Sequence, residues 1–481
     1  MIEWVAEHLV LAGTGLVAIA AGIAVVHVLL YKDEVRAAIA WVGLIVLVPL
    51  LGSVLYYLIG INRIRRRAVD LRRATVSRDT THALPWLTPE KVAAGVENPE
   101  ASELAHIVRS VTGRPLLSGN RVEPLLGGDE AYPAMLQAID SAQTSVCLTT
   151  YLFDNDATGE RFVQALSAAE RRGVQVRVLI DAVGARYSRP PIDKPLRRAR
   201  VPVARFLPTI ATRLPWFNLR NHRKILVVDG RMGFTGGMNI RDHFAASERV
   251  PQPDRDLHFR IEGPVVAHLR DVFAEDWEFA TGESLEGDAW FPKIEVRGET
   301  VARGIPDGPD EDFDALNFTL LGAIAAATRR VRIVTPYFLP DQPLVYALNT
   351  AALSGLEVDI VVPEHGNVPL VAWAMRAHFP LVLGVGCRVW LSPKRPFDHA
   401  KLMVVDDYWV LLGSSNWDPR SLRLNFEFNV ETYDRELAGR MHQLIDERIR
   451  LARPLTSDEL ASRALPLRLR DSAARLLTPY L

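Results

Sequence analysis

One ten-residue pattern occurs twice in this 481-residue chain, and few folds can carry it. The first copy reads Asn221-His222-Arg223-Lys224-Ile225-Leu226-Val227-Val228-Asp229-Gly230. The second reads Asp398-His399-Ala400-Lys401-Leu402-Met403-Val404-Val405-Asp406-Asp407. Each is H-x-K, then four residues ending in Val-Val, then Asp. In a β-strand alternate side chains share a face, so His222 and Lys224 project together, as do His399 and Lys401. Asp229-Gly230 predicts a two-residue hairpin and Asp406-Asp407 a weaker one. The motif aspartates Asp229 and Asp406 are expected to hold these turns rather than to touch a substrate. Each returning strand closes on small residues and an asparagine, Gly236-Gly237-Met238-Asn239 and Gly413-Ser414-Ser415-Asn416. Histidine and asparagine are seventeen residues apart in both copies.

A doubled histidine beside an ammonium suits attack on phosphorus. Neutral imidazole serves as nucleophile, and a second imidazole as general acid for the leaving oxygen. Lysine and asparagine donors around them stabilise charge growing on the phosphoryl oxygens. A single H-x-K is an ordinary polar strand edge, but two copies with matched flanks argue against coincidence. Neither copy has a cysteine or a second histidine at zinc-ligand spacing, so the scheme calls for no metal or other cofactor.

The surrounding chain is organised as a tethered repeat. Leu9 to Leu30 and Ala37 to Ile61 are apolar runs, each long enough to cross a bilayer core of ~30 Å. Glu3 and Glu7 at the head argue against a cleaved signal peptide. Arg63, Arg65, Arg66, Arg67, Arg72 and Arg73 follow the second run and mark the cytoplasmic side. Ser145–Phe153 reads as a strand, Gly159–Arg172 as a helix ended by Gly173, and Val174–Asp181 as a strand. The order returns as Val331–Phe338, Leu344–Ser354 with Gly355, and Val358–Val362. Strand–helix–strand repeated in this way predicts two like α/β domains. The expected division is an anchor over 1–62, a basic segment and linker over 63–118, and domains over 119–290 and 291–481. Arg468, Arg470 and Arg475, mixed with leucines near the C-terminus, are expected on a helix packed against the second domain. A net charge of −1 carries no basic surplus, which counts against nucleic acid as a partner. Cys147 and Cys387 lie in apolar, strand-like contexts and read as buried free thiols of a reducing compartment.

The flanks NLRNHRKILVVDGRMGFTGGMNI and HAKLMVVDDYWVLLGSSNWDPRSLRLNFE resemble the phospholipase D superfamily, and within it the bacterial cardiolipin synthases. The likeness runs over nearly the whole chain. It implies two phospholipase D-like domains in a pseudo-twofold arrangement, preceded by two transmembrane helices in a bacterial inner membrane. It implies a phosphatidyltransferase, on the cytoplasmic side, that turns two phosphatidylglycerols into cardiolipin and glycerol. By the same resemblance His222 is the nucleophile and His399 the general acid. Lys224, Lys401, Asn239 and Asn416 then hold the phosphoryl oxygens. Asp256 and Glu427, which follow the two motifs at similar intervals, are assigned the orienting of the histidines; a carboxylate on the far ring nitrogen fixes the tautomer. The expected partners are phosphatidylglycerol, other glycerophospholipids and the bilayer. Without the resemblance, the residues reach only a membrane-attached phosphodiester transferase or hydrolase. A hydrolase releasing phosphatidic acid and a membrane-tethered nuclease are the alternatives.

Overall fold

The computed structural model describes residues 2–32, 34–60, 84–207, 219–247, 250–309 and 314–478. It divides into two compact units, Met1–Arg67 and Ala68–Leu481. In the first unit a helix spans Ile2–Tyr31, and its part Leu11–Tyr31 has a mean hydropathy of 2.2. By length and composition that stretch can cross a membrane. The second apolar run does not form the single span expected of it. It is broken into helices Val35–Leu47 and Pro49–Leu55, followed by a π turn at Tyr56–Gly60. Pro49 has no N–H to donate, and it forces the preceding residue out of the helical region. Val48 accordingly sits at φ −136°, ψ 75°. The chain then doubles back so closely that a Cβ on Gly52 would lie 2.6 Å from the Leu44 carbonyl oxygen. A 2.8 Å hydrogen bond between His27 Nδ1 and the Tyr56 hydroxyl ties the two runs together. The arginine cluster from Arg63 to Arg73 lies outside the described residues.

The second unit is built on two sheets of matching order. In the first half β1 (Trp86–Leu87) pairs with β2 (Leu116–Leu126), and β3 (Ser145–Thr150), β4 (Gln175–Asp181) and β5 (Val203–Phe206) run parallel. They are followed by β6 (Arg220–Asn221), β7 (Ile225–Val228), β8 (Met232–Gly236) and β9 (Leu257–Glu262). The spatial order is β2-β9-β8-β7-β3-β4-β5. The second half supplies β10 (Thr300–Asp307), β11 (Arg330–Val334), β12 (Glu357–Pro363), β13 (Arg388–Ser392), β14 (Leu402–Val405), β15 (Trp409–Gly413), β16 (Asn425–Tyr433) and β17 (Arg453–Leu455). Its order is β10-β16-β15-β14-β11-β12-β13, the same arrangement strand for strand, with β17 added at the β13 edge. Antiparallel pairing of β2 with β10 joins the sheets edge to edge. The helices expected between parallel strands are present at Ala157–Arg171 and Gln342–Leu353.

Each sheet is covered by helices that close a separate apolar core. Within the segment 63–118 expected as a linker, the described helices from Pro89 to Thr112 pack into the second core. Helix Glu100–Thr112 buries Ala101, Leu104, Ala105 and Val108, an i, i+3, i+4, i+7 stripe. That stripe packs with Leu316, Leu320 and Ala323 of helix Ala315–Ala325, together with Val92 and Val96 of helix Pro89–Val96. The chain thus visits the second half before it builds the first. The C-terminal helix, Leu465–Leu476, lies on helix Pro369–His378, with Asp471 and Ala474 buried and Arg470 over the Trp373 ring at 4.5 Å. Cys147 and Cys387 are buried free thiols.

The motif aspartates act on the fold. Strand registers Val228↔Met232 and Val405↔Trp409 leave three residues in each turn, one more than the two-residue hairpin expected. Asp229 and Asp406 adopt φ of 51° and 48°, the left-handed conformation that a short polar side chain tolerates. The Asp229 carboxylate accepts the amides of Gln143, Thr144 and Ser145, and Asp406 accepts those of Thr328, Arg329 and Arg330, at 2.7–3.0 Å. Each turn is thereby fastened to the start of the neighbouring parallel strand. Asp406→Ala strands three partly buried donors and is expected to cost about 2–3 kcal/mol. A thermal melt followed by circular dichroism checks this, and an unchanged midpoint would contradict the role.

Candidate active site

The H-x-K residues do not lie within the strands but in the extended segments just ahead of β7 and β14. Alternation still places each lysine beside its histidine. Lys224 Nζ donates to the His222 carbonyl at 2.6 Å, and Lys401 Nζ donates to the His399 carbonyl. Lys401 Nζ also sits 2.9 and 3.2 Å from the two ring nitrogens of His399. Because these segments are free of their own sheets, each pairs with the opposite half. The β6 residues Arg220 and Asn221 run parallel to Asn425 and Phe426 of β16, and the His222 amide donates to the Phe426 carbonyl at 2.9 Å. Reciprocally, Arg255 bridges Asp398, and the His399 amide donates to the Arg255 carbonyl at 2.7 Å.

That exchange delivers each carboxylate to the other half's histidine. Phe426 precedes Glu427, whose two oxygens lie 2.9 Å from His222 Nδ1. Arg255 precedes Asp256, whose Oδ2 lies 2.7 Å from His399 Nδ1. An ionised carboxylate can only accept, so Nδ1 of each ring carries the proton and Nε2 presents its lone pair. The supports differ in ways the sequence did not signal. Ser414 Oγ donates to Glu427. The corresponding position in the first half is Gly237, where a Cβ would come within 2.2 Å of an Asp256 oxygen, so only glycine leaves room for the acid. Behind the histidines, Asn221 and Arg223 both bind Asp276 of helix Val266–Thr281. Arg448 of helix Arg435–Leu451 binds Asp398 at 2.6 Å.

Both imidazoles open into one cavity of about 540 Å³ between the halves, within the usual range for ligand pockets. Asn239 and Asn416 line it, whereas Lys224 and Lys401 lie beneath its wall, 2% and 5% exposed. Asn239 Oδ1 accepts the Leu152 amide at 3.0 Å, which leaves its NH₂ as the end facing the cavity. Asn416 Oδ1 is buried with no partner among the described residues. Tyr151 packs edge-on against His222 at 5.3 Å, and Tyr337 against His399 at 6.4 Å. Asp229 and Asp406 do not line this cavity. Ahead of the first motif, Phe206 is buried against Phe279 and Phe426. Among the described residues, no group of three or more His, Cys, Asp or Glu side chains is placed to hold a metal ion.

Burial dominates the electrostatics. It pushes His399 down to about 4, with Lys401 adding to the shift, and it lowers His222 as well, against the pull of Glu427. Burial likewise brings Lys224 down to about 7 and Lys401 to about 8. For the two acids burial acts upward, but Lys401 and His399 around Asp256, and His222 and Lys224 around Glu427, hold both carboxyls below their ordinary values. At neutral pH the pairs are therefore neutral imidazole on carboxylate. A histidine-selective NMR titration should find the His399 ring neutral until the pH approaches 4. Because the folded value lies below the unfolded one, the unfolded chain takes up this proton first. The stability contributed by the neutral ring is intact above about pH 6.5 and lost as pH falls toward 4. A His399 ring titrating near 6.5 would contradict this burial.

Comparison with known proteins bears on the family. Residues 135–277 and 320–449 match the family described as "Cardiolipin synthase, PLD-like domain", and residues 19–60 match "Phospholipase_D-nuclease N-terminal". A cardiolipin synthase of Geobacillus thermodenitrificans is 31% identical over 454 residues, covering 92% of this chain and 88% of its own. The major cardiolipin synthase ClsA of Bacillus subtilis is 31% identical over 469 residues, covering 94% and 96%. The crystal structure of a phosphatidylserine synthase of Haemophilus influenzae aligns with a TM-score of 0.62 at 15% identity, over 79% of this chain and 100% of that one, which shows a shared fold. With both halves matched and the likeness extending almost end to end, the chain belongs to the phospholipase D-like cardiolipin synthase family.

Proposed function

We propose that this protein is a phosphatidyltransferase that joins two phosphatidylglycerols into cardiolipin and glycerol. The observation that carries the reading is the pair of imidazoles, each turned by a carboxylate from the opposite half, with both Nε2 atoms toward one cavity. In the first step His222 Nε2 forms a bond to phosphorus as the bond to the glycerol oxygen breaks. His399 gives that oxygen its proton, leaving a phosphatidyl-histidine. In the second step the hydroxyl of another phosphatidylglycerol loses its proton to His399 and attacks phosphorus, and His222 departs. The choice of His222 as nucleophile follows the family resemblance.

A phosphodiester anion entering between the rings favours protonation of His399, offsetting the burial that keeps its ring neutral. The same anion favours the charged form of Lys224, and Lys401, at about 8, is already largely charged at neutral pH; with Asn239 and Asn416 these lysines hold the phosphoryl oxygens. Glu427 and Asp256 keep each ring in the required tautomer and steady its charged form. Asp229 and Asp406 contribute through the turns. In this reading Leu11–Tyr31 and the broken second run attach the chain to a membrane. The basic cluster after residue 62 sets the two halves, divided near residue 290, on the cytoplasmic side.

Incubating the full chain with phosphatidylglycerol in mixed micelles and weighing the products tests the reaction. Cardiolipin with glycerol is expected, whereas phosphatidic acid with glycerol would mean that water takes the intermediate. His222→Ala and His399→Ala should each abolish turnover. Glu427→Gln and Asp256→Asn should each lower kcat by about 10²–10⁴-fold. Wild-type rates in His222→Ala would overturn the assignment.

A further inference from the structure

The two ends of the cavity are not alike. The residue two before each histidine is Arg220 in the first half and Phe397 in the second, and both line the cavity. The residues two and four after each asparagine are Arg241 and His243 in one half, Asp418 and Arg420 in the other. His399 is flanked by aromatic rings, Phe244 at 6.0 Å and Phe397 at 6.2 Å. On the His222 side stand Arg220 and Arg420, close enough for the charge of Arg420 to be felt at Arg220.

The cavity's cations also differ in what they already hold. Arg241 is engaged by Asp154 at 3.0 Å. Arg220 donates to the Leu219 carbonyl and lies in the field of Asp181. Arg420 is half-buried, feels Asp418, and has no side-chain hydrogen bond or ion pair among the described residues. A half-buried guanidinium facing a cavity without a partner is suited to a phosphate, which it can grip with two parallel N–H donors.

Joining two phosphatidylglycerols brings two phosphodiester anions into the same space. The imidazoles, lysines and asparagines account for one; the other repels it and needs a cation of its own. We propose that Arg420, with Arg220 beside it, binds the phosphate of the acceptor phosphatidylglycerol, so that this end of the cavity selects an anionic lipid alcohol over water or a neutral alcohol. This rests on the transferase reading above and adds the acceptor's subsite to it.

The test offers the full chain phosphatidylglycerol as donor and acceptor, with ethanol as a competing neutral acceptor, and measures cardiolipin against phosphatidylethanol by mass spectrometry. Loss of a charge-assisted contact in Arg420→Gln should lower the cardiolipin-to-phosphatidylethanol ratio by about tenfold to a hundredfold. Arg420→Lys, which keeps the charge, should hold the ratio much closer to wild type. A ratio unchanged in Arg420→Gln, an equal fall in both products, or loss of both would each refute the subsite. So would a lysine variant as impaired in ratio as the glutamine one. Absence of both products from the wild-type protein would instead sink the transferase reading itself.

Discussion

Two hydrogen bonds, Glu427 to His222 and Asp256 to His399, cross between the halves and depend on almost every other feature of the second unit. They require that β6 leave its own sheet to lie along β16, and that Arg255 reach Asp398 in return. They require Gly237 to have no side chain and Ser414 to have one that donates. The joined edges of β2 and β10 hold the sheets in a relation that makes both crossings possible at once. Separated, either half would keep its histidine and lose the acid that orients it.

The same closure determines the charge state of the site. Excluding water from Lys224, Lys401 and the two rings makes each cation expensive to keep, so at neutral pH the rings are neutral and Lys224 is only partly charged, while Lys401 keeps most of its charge. An arriving anion reverses that balance. Binding and protonation are thus coupled, and the groups gain their charge when a phosphate is present to share it. Low local dielectric strengthens every contact made at that moment.

Much of this was readable in the chain. The parallel strands, their connecting helices and the doubled motif come from local patterns whose periods survive folding. Four features were not readable, for identifiable reasons. The histidines sit ahead of their strands because a two-residue cross-pairing claims the backbone there, and so short a ladder leaves no periodicity. Which acid meets which histidine depends on that same pairing, so the order Asp256 before Glu427 leaves it open. The stripe Ala101, Leu104, Ala105, Val108 announces a buried helical face but not which of two cores buries it. Pro49 was visible within the second apolar run, yet composition alone does not reveal that the chain folds back there against Leu44 through Gly52.

The β2–β10 seam also bears on how such a site can change over time. Were the two halves separate identical chains, any substitution in one wall would appear in the other, and Arg220 could not face a cavity whose opposite end carries Phe397. Covalent linkage of the copies releases that constraint. The backbone exchange stays reciprocal while the linings drift apart, and a catalyst with identical reacting groups acquires a sense of direction.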